Sequence, residues 1–150
     1  MMIMQSNNLR AEDLKKLVIA SFMAEKNRDL QTGLDLIDED FTVTEMIYGE
    51  DGKHLPSLNG EPLRDLMGLA FTTKDRDYVF KSVVADEQTQ TVIVEFIESY
   101  PDPATGQVYR TPQISVCQVK DGKIHRTRHY MDPRLSFEHL SESQIDSAFN

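Results

Sequence analysis

Apolar residues recur at helical spacing in the first half of the chain and at alternate positions in the second. Leu14, Leu17, Val18 and Phe22 fall on one side of a helix, with Asn8 as its N-cap and Glu12 and Asp13 in the first turns. A shorter helix carries Leu30, Leu34 and Ile37. The acidic run Asp38-Glu39-Asp40 is unfavourable at a helix C-terminus and predicts a turn there. Residues 41–48 are rich in β-branched and aromatic types and read as a strand. A polar loop with Gly49, Gly52, Pro56 and Asn59 follows. Residues 61–73 then read as a third helix, with Pro62 in its first turn and Leu63, Leu66, Met67, Ala70 and Phe71 on one stripe.

Beyond residue 76 the period drops to two. Residues 77–85, 89–100, 108–119 and 123–131 read as strands, and Asp121-Gly122 is a strong hairpin turn. Pro112 predicts an edge, a bulge or an interruption in the third of these strands. Asp132-Pro133 has the form of a helix cap followed by a first-turn proline. Ser141 with Gln144 has the form of a capping box, so a short C-terminal helix is expected. Helices followed by a run of antiparallel strands predict a single α+β domain over residues 1–150. Its expected form is a strongly curved, mainly antiparallel sheet with the three helices of the N-terminal half on its concave face and a cavity between them.

Composition narrows the class. The 150 residues carry 16 Lys+Arg against 25 Asp+Glu, a net charge of −9. A field of that sign disfavours nucleic acid and anionic membrane surfaces as partners. The charge is uneven: residues 120–134 hold five basic and two acidic side chains, so a small anionic ligand near the last strand stays compatible. A single cysteine, Cys117, excludes an internal disulfide framework. No apolar run reaches the roughly 20 residues of a membrane span, and the first ten residues lack the pattern of a signal peptide. A cytoplasmic protein is expected. No phosphate-binding loop or dinucleotide fingerprint is present, and no cofactor is expected. His125 and His129 would stand about 13 Å apart on a strand, too far for one metal ion, so no metal site is expected.

Several segments carry a family resemblance: Val92-Ile-Val-Glu-Phe96, Gly106-Gln-Val-Tyr109, Lys120-Asp-Gly-Lys-Ile124 and Arg128-His-Tyr-Met-Asp132. Together they resemble the second half of SnoaL-like proteins, which belong to the nuclear-transport-factor-two-like superfamily with its cone-shaped α+β fold. The helix-helix-strand-helix order of the first half is similar to theirs. The resemblance implies a cavity. It implies no single reaction, because such folds host cyclases, isomerases, dehydratases, epoxide hydrolases and plain binding proteins. Relatives often carry an acid just before the tyrosine of the last strand; here that position is His129. Epoxide-hydrolase-like relatives pair it with Arg-x-Asp on a neighbouring strand. The nearest match is Ile93-Val94-Glu95, which lacks the arginine, so epoxide hydrolysis is not expected.

In the register that the resemblance implies, Glu95 and His129 both face the cavity. A carboxylate beside an imidazole is a sound acid/base pair, with Glu95 orienting His129; the alternative is a polar pair that satisfies only itself. Tyr48, Tyr100 and Tyr109 are candidate ligand hydroxyls or else core fillers. His54 is a candidate at the pocket mouth or a solvated loop residue. Asp132 is a candidate acid or a helix cap, and Arg128 a candidate anion contact or a surface ion-pair partner. Val92, Val94, Phe96, Ile114 and Val116 are expected to form an apolar patch on the uncovered sheet face, which would pair two copies as a homodimer. The expected function is binding of a small, mostly apolar molecule, with general acid/base proton transfer of the isomerase, cyclase or dehydratase type. The alternative is a non-catalytic binding or dimeric interaction module.

Overall fold

A computed structural model describes residues 7–47, 55–132, 134–135 and 140–150. Its elements are α1 (Ala11–Lys26), α2 (Leu30–Asp35), β1 (Ile37–Glu45), β2 (Ser57–Asn59), α3 (Gly60–Ala70), β3 (Asp77–Asp86), β4 (Thr91–Pro101), β5 (Val108–Lys120), β6 (Lys123–Tyr130) and α4 (Glu142–Asp146). The order of helices and strands is the expected one except for β2, which forms at the end of the expected polar loop and pairs with β1. No helix among the described residues is long and apolar enough to cross a membrane.

The six strands form one sheet in the order β2-β1-β6-β5-β4-β3. β1 and β6 run parallel, and every other neighbouring pair is antiparallel. The sheet is open, with β2 and β3 as unjoined edges, which corrects the expectation of a strongly curved sheet. Its irregularities are local register shifts at Ile37/Thr42, Phe80/Ser82 and Gln118/Val119. Alternation along a strand says which side chains share a face. It does not say how far neighbouring strands coil, because coiling depends on bulges and closing pairs.

Helices α1 and α3 cover one face, while α4 meets β5 through Arg110, which alternates to the other face beside buried Ile97. α1 packs on β3 and β4, and α3 on β1 and β2. Leu14 and Val18 of α1 are fully buried in the same core as Val92, Val94 and Phe96 of β4. Each such side chain contributes roughly 1.5–3 kcal/mol by leaving water. This corrects the expected patch: Val92, Val94 and Phe96 are core residues beneath the helices, not an exposed surface. Phe22 joins them edge-on, its ring 4.8 Å from Phe96 and 5.0 Å from Tyr78. Gln90, itself buried, ties down the start of α1: its Oε1 accepts from Leu9 N at 2.9 Å and its Nε2 donates to Leu9 O at 2.8 Å.

Local differences from the expected elements have simple causes. α1 starts at Ala11 with Arg10 as its cap residue, later than an Asn8 cap predicts. The acidic run Asp38-Glu39-Asp40 does not form a turn. It lies within β1 at a register shift, where Asp40 N donates to Asp38 Oδ1 and His125 pairs with Asp38 at 2.6 Å. Pro112 pairs with Ile97 on β4, while the pairing of β5 with β6 reaches only to Ile114, so at Pro112 one side of β5 is an edge. Asp121 and Gly122 both take positive φ, the geometry of a tight two-residue hairpin turn. α4 carries the full capping box of Ser141 and Gln144, and Arg110 of β5 reaches its Glu142 and Asp146 at 3.3 Å.

One close approach sets the spacing of α2 and α3. A methyl group on Gly33 would come within 2.6 Å of Cζ of buried Phe71. Gly33→Ala should therefore lower stability: overpacking costs about 1–3 kcal/mol, against roughly 1 kcal/mol gained in helix propensity. Urea unfolding measures this, and adding Phe71→Leu should restore part of the loss.

Candidate functional site

The helices and the covered sheet face enclose a cavity of about 290 Å³. That is at the small end for ligand sites. One end is apolar, walled by Ile37, Phe41 and Val43 of β1 with Leu63, Met67 and Phe71 of the α3 region. The other end is polar. Strand parity builds both ends: on β1 the stripe Phe41, Val43 continues to Glu45, and on β4 the stripe Val94, Phe96 continues to Glu98.

The polar end is organised by Arg76, whose side chain is 9% exposed. Its Nη1 donates to Glu98 Oε2, and its Nε lies 3.1 Å from Glu25 Oε1. Burial opposes the arginine's charge, and Glu98 and Glu25 outweigh it, so the guanidinium stays charged. The Tyr78 hydroxyl donates to Glu25 Oε1 at 2.7 Å and lies 3.0 Å from Glu98 Oε2. Burial and the two carboxylates push its ionisation well above the ordinary phenol range. Gln113 Nε2 donates to Glu98 Oε1 at 3.0 Å. Burial raises the Glu25 carboxyl above its usual value, partly offset by Arg76.

Glu45 sits differently. It lines the cavity, and its buried Oε2 has no hydrogen-bond partner among the described residues. Burial, with Glu98 nearby, raises its carboxyl above the usual value. Across the β1–β6 pairing it is the register partner of His129. His129 also lines the cavity, and its Nδ1 lies 2.6 Å from Oγ of fully buried Ser115. Nε2 is then the ring nitrogen left for a ligand. Burial lowers the His129 pKa, with Glu98 acting weakly the other way, so the imidazole is held neutral. Cys117 also lines the cavity, but burial pushes its thiol up to about 11, which makes it inert at neutral pH.

The structure brings together only part of the expected site. His129 is in the cavity. Glu95 is not: it lies between Val94 and Phe96, which face the helices, and so points to the opposite sheet face. The expected Glu95–His129 pair is therefore corrected, with Ser115 and Glu45 as the neighbours of His129. Tyr100 and Tyr109 do not line the cavity. Their rings meet at a tilt of 46° with centroids 5.3 Å apart, the Tyr109 hydroxyl donates to Asp102, and Arg76 lies over the Tyr100 ring at 4.9 Å. Arg128 alternates away from His129. Asp132 accepts hydrogen bonds from the Arg134 backbone and guanidinium, a local cap-like arrangement. Tyr48 and His54 lie outside the described residues. No group of His, Cys, Asp and Glu among the described residues could hold a metal ion.

The state of His129 makes stability pH-dependent. The folded chain holds the imidazole neutral, while the unfolded chain takes up a proton below its ordinary value of 6.5. Stability from this group is present above that value and is lost as pH falls toward the lowered folded value. Glu25 and Glu45 act oppositely, their contribution fading as pH rises above 4.5 through their raised values. The comparison with His129→Gln isolates the imidazole. Between pH 7.5 and 5.5, urea unfolding should show the wild type losing more stability than the variant, by up to about 1.4 kcal/mol per pH unit. A difference that does not change with pH would refute the neutral imidazole.

Comparison with known proteins supports the architecture. The family model described as "SnoaL-like domain" matches residues 18–127. A search of curated protein sequences finds no match. Among solved structures, a Bacillus subtilis protein provisionally described as an isomerase superposes with a TM-score of 0.70 at 22% identity, covering 86% of this chain and 95% of that one. An epoxide hydrolase from M. tuberculosis described as LEH-like gives 0.71 at 16% identity, covering 92% and 96%. PrhC from Penicillium brasilianum gives 0.69 at 14% identity, covering 93% of each chain. At these identities the likeness is one of fold. With the family model spanning most of the chain, the protein belongs to the SnoaL-like family.

Proposed function

We propose that the cavity binds a small, mostly apolar molecule and that His129 transfers a proton on it, in a reaction of the isomerase, cyclase or dehydratase type. The observation that carries this reading is a neutral imidazole in the wall of an apolar pocket, with Nδ1 held by Ser115 and Nε2 left for a ligand. A serine hydroxyl both donates and accepts, so it can support either tautomer as the ring takes up and returns a proton. The apolar wall raises the strength of any polar contact made inside. Catalytic relatives and non-catalytic binding proteins share this fold, so the test must read proton transfer itself.

Hydrogen–deuterium exchange next to the carbonyl of small cyclic ketones, followed by NMR in heavy water, does so without a known substrate. The wild type should accelerate exchange of the ketones it binds, and His129→Gln should lower that rate by about 10²–10⁴-fold. Binding with exchange no faster than in buffer would instead favour the non-catalytic module.

We also propose that two copies pair through the part of the sheet face opposite α1 and α3 that α4 leaves open. Val84, Ile93, Ile114 and Tyr130 are exposed there on β3, β4, β5 and β6, each between 39% and 57%. A contiguous apolar strip of this kind favours burial against a second copy. Sedimentation at micromolar concentration should give twice the monomer mass of 17.2 kDa, and Ile93→Lys should return the monomer. A monomeric wild type would rule the pairing out.

A further inference from the structure

The charge inventory of the cavity is one-sided. Glu25, Glu45 and Glu98 line it, and no lysine or arginine does among the described residues. Arg76 stands behind the wall and is committed to Glu25 and Glu98. Two carboxylates against one guanidinium leave one negative charge before Glu45 is counted. Arg126 and Arg128 of the last strand alternate away from the cavity on either side of Thr127, which lines it, and Lys123 at the start of that strand donates to Asp35 O. An anionic ligand would therefore enter a site that repels it and offers no cation.

Glu45 adds a specific demand. It continues the apolar stripe of Phe41 and Val43 into the polar end, and its buried Oε2 has no partner. A buried acceptor without a donor is unfavourable, and more so if charged, so a ligand that brings a donor to this carboxylate gains affinity. Phe22, Tyr78 and Phe96 present aromatic rings at the same end. Aromatic rings beside carboxylates are a setting that favours an ammonium group.

We propose that the cavity selects a cationic ligand: a compact hydrocarbon body against Phe41, Leu63, Met67 and Phe71, ending in a protonated amine seated on the Glu45 carboxylate. This rests on the reading of the cavity as a ligand site and is independent of whether His129 catalyses a reaction. The ionised form of Glu45 is the one that takes the amine, so affinity tightens as pH rises through the raised value of this carboxyl while the amine itself remains charged. The other titratable groups facing Glu45 are Glu98 and His129. Glu98 is held by Arg76 and Gln113, and neutral His129 adds no positive charge that would oppose the amine.

Three probes of nearly equal shape test this by isothermal titration on the full chain: cyclohexylmethylamine, cyclohexylmethanol and cyclohexanecarboxylate. At pH 7.5 the amine should bind at least about tenfold more tightly than the alcohol, as a charge-assisted hydrogen bond is roughly twice as strong as a neutral one. The carboxylate should show no binding. Glu45→Gln should bring the amine down to the level of the alcohol and leave the alcohol within about threefold of wild type. Glu95→Gln, on the opposite sheet face, should change neither. An alcohol or carboxylate that binds as well as the amine overturns the amine assignment and leaves the pocket reading standing. Failure of all three to bind overturns both. An amine preference that survives Glu45→Gln overturns the role of Glu45.

Discussion

Burying the Arg76 guanidinium requires carboxylates to come to it, and the polar half of the cavity follows from that requirement. Arg76 stands just before β3. Glu25 comes from the last turns of α1 and Glu98 from β4, so one cation ties a helix and two strands at a single point. Tyr78 and Gln113 complete the set by donating to the same carboxylates. Removing one partner of such a buried pair typically costs about 3–5 kcal/mol, because the remaining charge stays desolvated. The network therefore holds the C-terminal end of α1 against the sheet, and the cavity exists because α1 and α3 stand over the same face at different strands.

Two consequences reach the site. The network engages Arg76, and among the described residues the cavity lining holds no lysine or arginine, so the charged groups there are carboxylates beside a neutral imidazole. It also places Glu98 close enough to act on Glu45 and His129 while being satisfied itself. Burial then pushes the Glu45 carboxyl up and the His129 imidazole down, which brings two unlike titratable groups on adjacent strands toward each other in proton affinity. A pocket of this kind can hold a proton on either wall.

Much of the fold was legible from periodicity. The change from helical to alternating spacing near residue 76, the Asp121-Gly122 turn and the Ser141–Gln144 box all predict what is found, because each is decided by neighbours in sequence. Strand pairing geometry was not: the open sheet and the parallel β1–β6 contact depend on elements far apart. The site shows the same division. His129 was found from its place on the last strand. The register that the family resemblance implies puts Glu95 in the cavity, although the alternation of Val92, Val94 and Phe96 assigns the even positions to the covered face. Carried two residues further, that stripe ends in Glu98, and the stripe Phe41, Val43 ends in Glu45. An acid that continues a core stripe is the signal that identifies both. Arg76 lies outside any strand pattern, and nothing local in the sequence marks it as the centre of a buried network.

The central claim is that His129 is a neutral imidazole held by Ser115 in the wall of the cavity. An NMR titration of the chain with ¹⁵N-labelled histidine, assigned by the signal lost in His129→Gln, tests it most directly. The account predicts a midpoint for His129 below the ordinary 6.5, which moves back toward that value in a variant that opens the cavity wall to water, such as Phe71→Ala. A midpoint at or above 6.5 in the folded wild type would contradict it.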